Sequence, residues 1–205
     1  MTLAHPLRNR VTPEGDLIAT EHRGTMYGNR GILHNDDLVI VRRHQVRRWL
    51  VCVLEFRGRR RRIMQPHRYT ELFFLDEAVA LAAGHRPCAE CRYPEYQQFR
   101  AAWAHSGPKP TADEIDNVLH TERGLINGAR TTHQAAPDTL PDGVFIRHKE
   151  ANWLLHNRKL RLWTPAGYTE SRTLADGPAD VLTPVSTVDT IRAGYRPGVH
   201  PSANV

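Results

Sequence analysis

The chain has 205 residues, 40% of them hydrophobic, with 28 basic residues against 22 acidic and a net charge of +6. That composition supports one large core or two small ones, while a mean hydropathy of −0.53 and a longest apolar run of only residues 49–54 argue against a membrane-spanning helix. Three cysteines make no disulfide framework and residues 1–10 carry no apolar leader core, so a reducing, cytoplasmic setting is expected.

Residues 1–45 are dense in turn formers. Gly24, Gly28 and Gly31, with Asn29 between them, predict an ordered loop. No Gly-Lys-Ser/Thr follows that would make it a phosphate-binding loop. In His34-Asn35-Asp36-Asp37 the histidine could activate water and the carboxylates hold Mg²⁺. His34, Asp36 and Asp37 are therefore candidates for a nuclease-like hydrolytic site, with a capped Asx-rich turn as the plainer reading. Residues 38–41 read as a short strand. Residues 46–65 predict a hairpin: a β-branched and aromatic first strand, a turn at Gly58 and a basic return strand over 59–65.

Residues 72–75 form a short apolar strand, and Asp76 caps a helix that Gly84 ends. Pro94 opens a second helix, whose Tyr96, Phe99 and Trp103 make an aromatic stripe expected to pack on the hairpin. Thr111 and Glu114 make a capping box for a third helix ending near Gly124. Residues 131–143 read as loop. The apolar segments 144–146, 153–155 and 160–163 predict a small antiparallel sheet, 181–182 a further strand, and 184–194 a helix capped by Ser186 and stopped by Gly194. Strands and helices occupy separate stretches, so the expected class is α+β: a zinc-stabilised hairpin-plus-helices module with an appended small antiparallel β region. The expected segments are 1–45 packed on the core, 46–104 as the zinc module, 105–139 as a linker with one helix and 140–205 as the β-rich region.

Cys88-Ala89-Glu90-Cys91 stands between the first two helices. Two thiolates at this spacing can grip one metal ion from a tight turn, and the N–H groups of a following helix offset their charge. A redox dithiol and two inert buried thiols are the alternatives, but the strand context of a thioredoxin-like pair is missing. Tetrahedral zinc needs four ligands. Cys52 is the natural third; for the fourth, His67 comes first, then His44, then His85.

The segment 72–92, with its Phe-Phe pair, Ala-rich helix and Gly84-His85-Arg86-Pro87-Cys88-Ala89-Glu90-Cys91-Arg92, resembles the N-terminal metal-binding domain of the bacterial Ada alkylation-repair protein. The likeness covers about a tenth of the chain. It implies a zinc-organised module that touches the DNA backbone, with Cys88 and Cys91 as its second ligand pair. The family's first pair, two cysteines close in sequence, is replaced here by Cys52 alone. The methyl acceptor of that family belongs to the missing pair, so the resemblance implies DNA binding more than repair by self-methylation.

Of the 28 basic residues 25 are arginine, and nine of these fall between Arg42 and Arg62. Such a block attracts phosphates, and arginine matches them bidentately. Arg57, Arg59, Arg60, Arg61 and Arg62, with Arg86 and Arg92 beside the cysteines, are the expected nucleic-acid contacts, DNA before RNA. The expectation is thus a zinc-containing nucleic-acid-binding protein; a metal-dependent nuclease using His34 and a zinc-stapled protein-interaction module are the alternatives.

Overall fold

The structure, a computed structural model, describes residues 6–58, 62–126, 129–174 and 177–204. Six short strands build a mixed sheet: β1 (Arg8–Val11), β2 (Leu17–Ala19), β3 (Met26–Asn29), β4 (Leu50–Val53), β5 (Leu72–Phe74) and β6 (Arg86–Pro87), in the order β2-β1-β5-β3-β4-β6. Helix α1 (Glu77–Ala82) separates β5 from β6 along the chain, and α2 (Tyr93–Trp103) and α3 (Ala112–Glu122) follow. A short ladder of β7 (Leu125–Ile126) and β8 (Ala129–Arg130) leads to a second sheet of β9 (His133–Ala135), β10 (Phe145–His148), β11 (Ala151–His156), β12 (Lys159–Thr164), β13 (Gly167–Arg172) and β14 (Ala179–Val181). Its order is β13-β12-β11-β10-β14-β9 and every pairing is antiparallel. Helix α4 (Val185–Arg192) and a 3-10 turn at Pro201–Asn204 come last. The class is α+β.

Local chemistry sets the helix ends. Asp76 accepts the Val79 N–H at 2.9 Å, and Gly84, at φ +86°, takes the left-handed turn that ends α1. All six residues of α1 are buried, and its alanines at 78, 80 and 82 let neighbours close in on every side. Thr111 and Glu114 form the reciprocal capping box of α3.

Alternation along the strands buries both faces of the second sheet. Phe145 and Leu154 join a core with Leu72, Phe74, Val79 and Ala82 from the first sheet and α1. Their neighbours Ile146, Trp153 and Leu155 join a second core with Phe99 of α2, Leu119 of α3 and Ile191 of α4. The C-terminal segment is held by the acidic start of α1: Asp76 accepts from the Tyr168 hydroxyl (2.7 Å) and the His200 N–H (2.9 Å), and Glu77 from the Tyr195 hydroxyl (2.6 Å) and the Gly198 N–H (2.9 Å).

Several expectations are corrected. β4 pairs with β3 and β6, and residues 62–65 form no return strand, so there is no 46–65 hairpin among the described residues. The glycine-rich stretch is not all loop: β3 runs through Gly28 because a side chain there would place Cβ 2.1 Å from the Leu50 carbonyl oxygen of β4. The aromatic stripe meets the C-terminal segment and β6: Phe99 lies edge-on to Tyr195 at 5.1 Å, and Tyr96 lies under the Arg86 guanidinium. Ser186 is no cap; its hydroxyl donates to Glu122 at 2.6 Å, and the helix starts after Pro184. β9 lies in the expected 131–143 loop, and β13 adds a strand beyond those expected.

Candidate metal centre

Backbone pairing brings the cysteines together. β6 lies parallel to β4, with Leu50 opposite Arg86 and Val51 opposite Pro87. The next N–H, that of Cys88, donates to the Val51 carbonyl at 3.0 Å, so Cys88 is stitched onto the strand that carries Cys52. The chain then turns, the Arg92 N–H donating to the Cys88 carbonyl at 3.1 Å, and Cys91 comes back to the same place. The three sulfur atoms lie within 4.8 Å of one another. Thiolates on one tetrahedral zinc, with Zn–S bonds of about 2.3 Å, stand about 3.8 Å apart, so small side-chain adjustments close the set on an ion.

Cys52 and Cys88 are buried and Cys91 is partly exposed. Hydrogen bonds from Cys52 and then Cys91 stabilise the Cys88 thiolate and lower its pKa. The Cys52 thiol is pushed up, first by its hydrogen bond to Cys88, then by Cys91 and by burial. For Cys91 the hydrogen bond with Cys52 pulls down, but the bond to Cys88 together with burial outweighs it, and the result is a rise. Sulfurs this close resist ionising together. A bound cation would take the place of their protons and let all three ionise. The Glu90 N–H also points at Cys88 Sγ, at 3.4 Å. The arrangement is a possible three-cysteine metal site.

None of the histidines considered as a fourth ligand reaches it. His67 is exposed, at φ +59°, and lies outside the group. His44 is exposed and packs on Trp49 and His120, each at 5.6 Å between ring centroids. His85 is buried: Nε2 accepts from Arg30 Nε at 2.9 Å, which leaves Nδ1 to donate to the Leu50 carbonyl at 3.1 Å. Burial, then the Arg30 charge, lowers its pKa well below the ordinary value. Among the described residues no histidine or carboxylate completes the three cysteines.

Two of the expected phosphate contacts are internal. Arg86 is 1% exposed and grips Asp116 with two bonds of 2.8 Å. Arg92 is buried against Glu77 at 2.7 Å, and the hydrogen bond and charge of Glu77 outweigh burial to raise its pKa. Arginines flanking a cysteine knuckle can face inward when helices supply carboxylates, and here α3 and α1 do. Arg57 and Arg62 are exposed, as are Arg42, Arg43, Arg47 and Arg48. Arg59, Arg60 and Arg61 lie outside the described residues.

His34 is buried; Nε2 donates to the Gln65 carbonyl at 3.2 Å and Nδ1 accepts from the Thr70 hydroxyl at 2.6 Å. Both ring nitrogens are therefore committed to holding the loop. Asp36 and Asp37 are exposed beyond it, in a turn whose Asn35 side chain accepts from the N–H groups of Asp37 and Val39.

The residues that sequence reasoning missed are Trp49, Arg123 and Arg130, which with Arg30 line one cavity although they come from four separate stretches. An isolated arginine carries no local signal of burial. Comparison with protein-family models, with curated proteins and with solved structures finds no match to the chain.

Proposed function

We propose that this chain is a zinc-containing nucleic-acid-binding protein, with DNA favoured over RNA. The observation that carries the reading is the cluster of Cys52, Cys88 and Cys91. Three thiolates suit zinc better than a hard, oxygen-seeking cation. The ion would be structural, joining β4 to the turn before α2, and its fourth position would go to water or to a ligand from outside the described set. Exposed Arg42, Arg43, Arg47, Arg48 and Arg57 flank Cys52 in sequence and can meet phosphates. Such contacts position a protein on the backbone without selecting a base. The resemblance of residues 72–92 to the Ada metal-binding domain supports DNA as the polymer.

Elemental analysis of the purified protein should find one zinc per chain, lost in Cys88→Ser. Association with duplex DNA should weaken steeply as salt rises, because neutralised phosphates release counter-ions. Absence of zinc removes the metal reading. Association that ignores salt removes the nucleic-acid reading and favours a zinc-stapled protein-interaction module. Tighter binding to duplex RNA reverses the choice of polymer. Among the described residues no helix is long and apolar enough to cross a membrane.

A further inference from the structure

A cavity of about 290 Å³ lies against Trp49, and no cysteine contributes to it. Its lining includes Arg30, Arg123, Arg130, Trp49, His44 and His120. The guanidinium carbons of Arg30 and Arg123 sit 4.0 and 4.1 Å from the centre of the Trp49 ring. Arg30 is 1% exposed and Arg123 5%. Three cations thus share one enclosure.

Their bonds orient them without cancelling their charge. Arg30 Nη1 donates to the Gly15 carbonyl (2.8 Å) and Arg123 Nη1 to that of Gly84 (2.7 Å), with Arg123 Nη2 on the Arg47 carbonyl. Arg130 reaches the carbonyls of Pro13 (3.1 Å), Ala82 (2.5 Å) and Leu182 (3.0 Å). Among the described residues none of the three has a carboxylate within ion-pair distance. Glu14 also lines the cavity, but its side chain accepts from Asn152 at 3.1 Å and lies near Arg147; Asp16 pairs with Arg43 at 3.0 Å. Arg30 Nη2, Arg123 Nε and Arg130 Nε are buried donors with no partner.

Burial first, and then the neighbouring arginines, lowers the pKa of Arg30 well below its ordinary value; burial also leads the lowering at Arg123 and Arg130. Arginine does not shed its proton in proteins, and unpaired buried charge is strongly unfavourable. The unmet requirement is an anion. Several guanidiniums in one enclosure match a phosphate, whose oxygens accept paired N–H bonds from a guanidinium. The volume stands at the lower edge of small-molecule sites and exceeds what a bare phosphate fills. The remaining lining is aromatic: His44 and His120, in edge contact at 5.6 Å beside Trp49, offer rings to a base. Gly15 and Gly124 leave backbone without side chains on the wall.

We propose that this cavity binds a nucleoside monophosphate, with its phosphate among Arg30, Arg123 and Arg130 and its base toward His44 and His120. The unit could arrive as a free nucleotide or as the phosphorylated end of a strand. The site holds for either source and does not rest on the zinc or on the duplex-binding surface.

Calorimetric titration of the full chain with nucleoside 5′- and 3′-monophosphates, inorganic phosphate and unphosphorylated nucleosides tests this. At least one monophosphate should bind, inorganic phosphate should compete with it more weakly, and the matching nucleoside should bind at least about a hundredfold more weakly, since it lacks the charge-assisted bonds. Arg123→Gln should weaken the nucleotide at least about tenfold. His44→Ala, a change at an exposed position, should weaken the nucleotide and leave phosphate unchanged. A phosphorylated octanucleotide that binds more tightly than both the mononucleotide and its unphosphorylated counterpart identifies a strand end as the source; equal or weaker binding identifies the free nucleotide. No binding of any monophosphate to the folded wild-type chain overturns the proposal. So does phosphate binding with no gain from the nucleoside, or a nucleotide affinity unchanged in His44→Ala and in folded Arg123→Gln.

Discussion

Arg86 and Arg57 show how far one residue type can diverge with its surroundings. Arg86 is enclosed with Asp116 in a bidentate pair, and its guanidinium lies 5.3 Å from the Tyr96 ring centre. Arg57 is exposed at a left-handed turn residue, φ +51°. Arg86→Leu leaves a buried, unpaired carboxylate and should cost about 3–5 kcal/mol in urea unfolding. Arg57→Ala and Arg62→Ala should each change stability by less than about 0.5 kcal/mol, while the salt slope of the proposed DNA association should drop by about one for each phosphate that is no longer neutralised. An unchanged slope in the double variant would take these two residues out of the interface.

At the scale of elements, the proposed zinc centre depends on β4 being held between β3 and β6. Gly28 is the tightest point of that arrangement, because an added Cβ would lie 2.1 Å from the Leu50 carbonyl oxygen and 2.9 Å from the Phe74 ring. Gly28→Ala must push β3 off β4, and a loss of about 3 kcal/mol or more is expected, together with weaker zinc retention, read by chelator competition. Thr111→Ala at the exposed start of α3 removes only the capping box, and about 1 kcal/mol is expected with zinc content unchanged. Equal zinc retention in the two variants would separate the cysteine cluster from the β3–β4 pairing.

Across the whole molecule, the acidic start of α1 links the two sheets to the C-terminal segment. Asp76 is 2% exposed and takes three hydrogen bonds, from Val79, Tyr168 and His200. Burial outweighs those bonds and raises its pKa above the ordinary 3.8. The folded state therefore binds this proton more tightly than the unfolded chain. Its stabilising contribution is complete below the unfolded pKa and is lost as pH climbs through the folded one. Asp76→Asn lacks that dependence. Unfolding free energies measured from pH 4 upward should shift in favour of the variant as pH rises, over and above the constant effect of replacing one oxygen by an amide. A difference independent of pH would show that Asp76 is ionised throughout.

The sequence by itself determined what local chemistry decides. The α+β class, the Asp76 cap, the Gly84 stop, the Thr111–Glu114 box and the core strands of the second sheet all rest on contacts within a few residues or on simple alternation. The Cys88–Cys91 spacing likewise marked the turn where a metal could sit. Only the tertiary structure decided which strand lies beside β4, whether an arginine faces water or a carboxylate, and that Arg30, Arg123 and Arg130 line one cavity with Trp49. Those outcomes depend on pairings between segments as far apart as residues 30 and 130, and an isolated arginine, or a glycine read only as a turn former, has the same local pattern whichever partner the fold supplies.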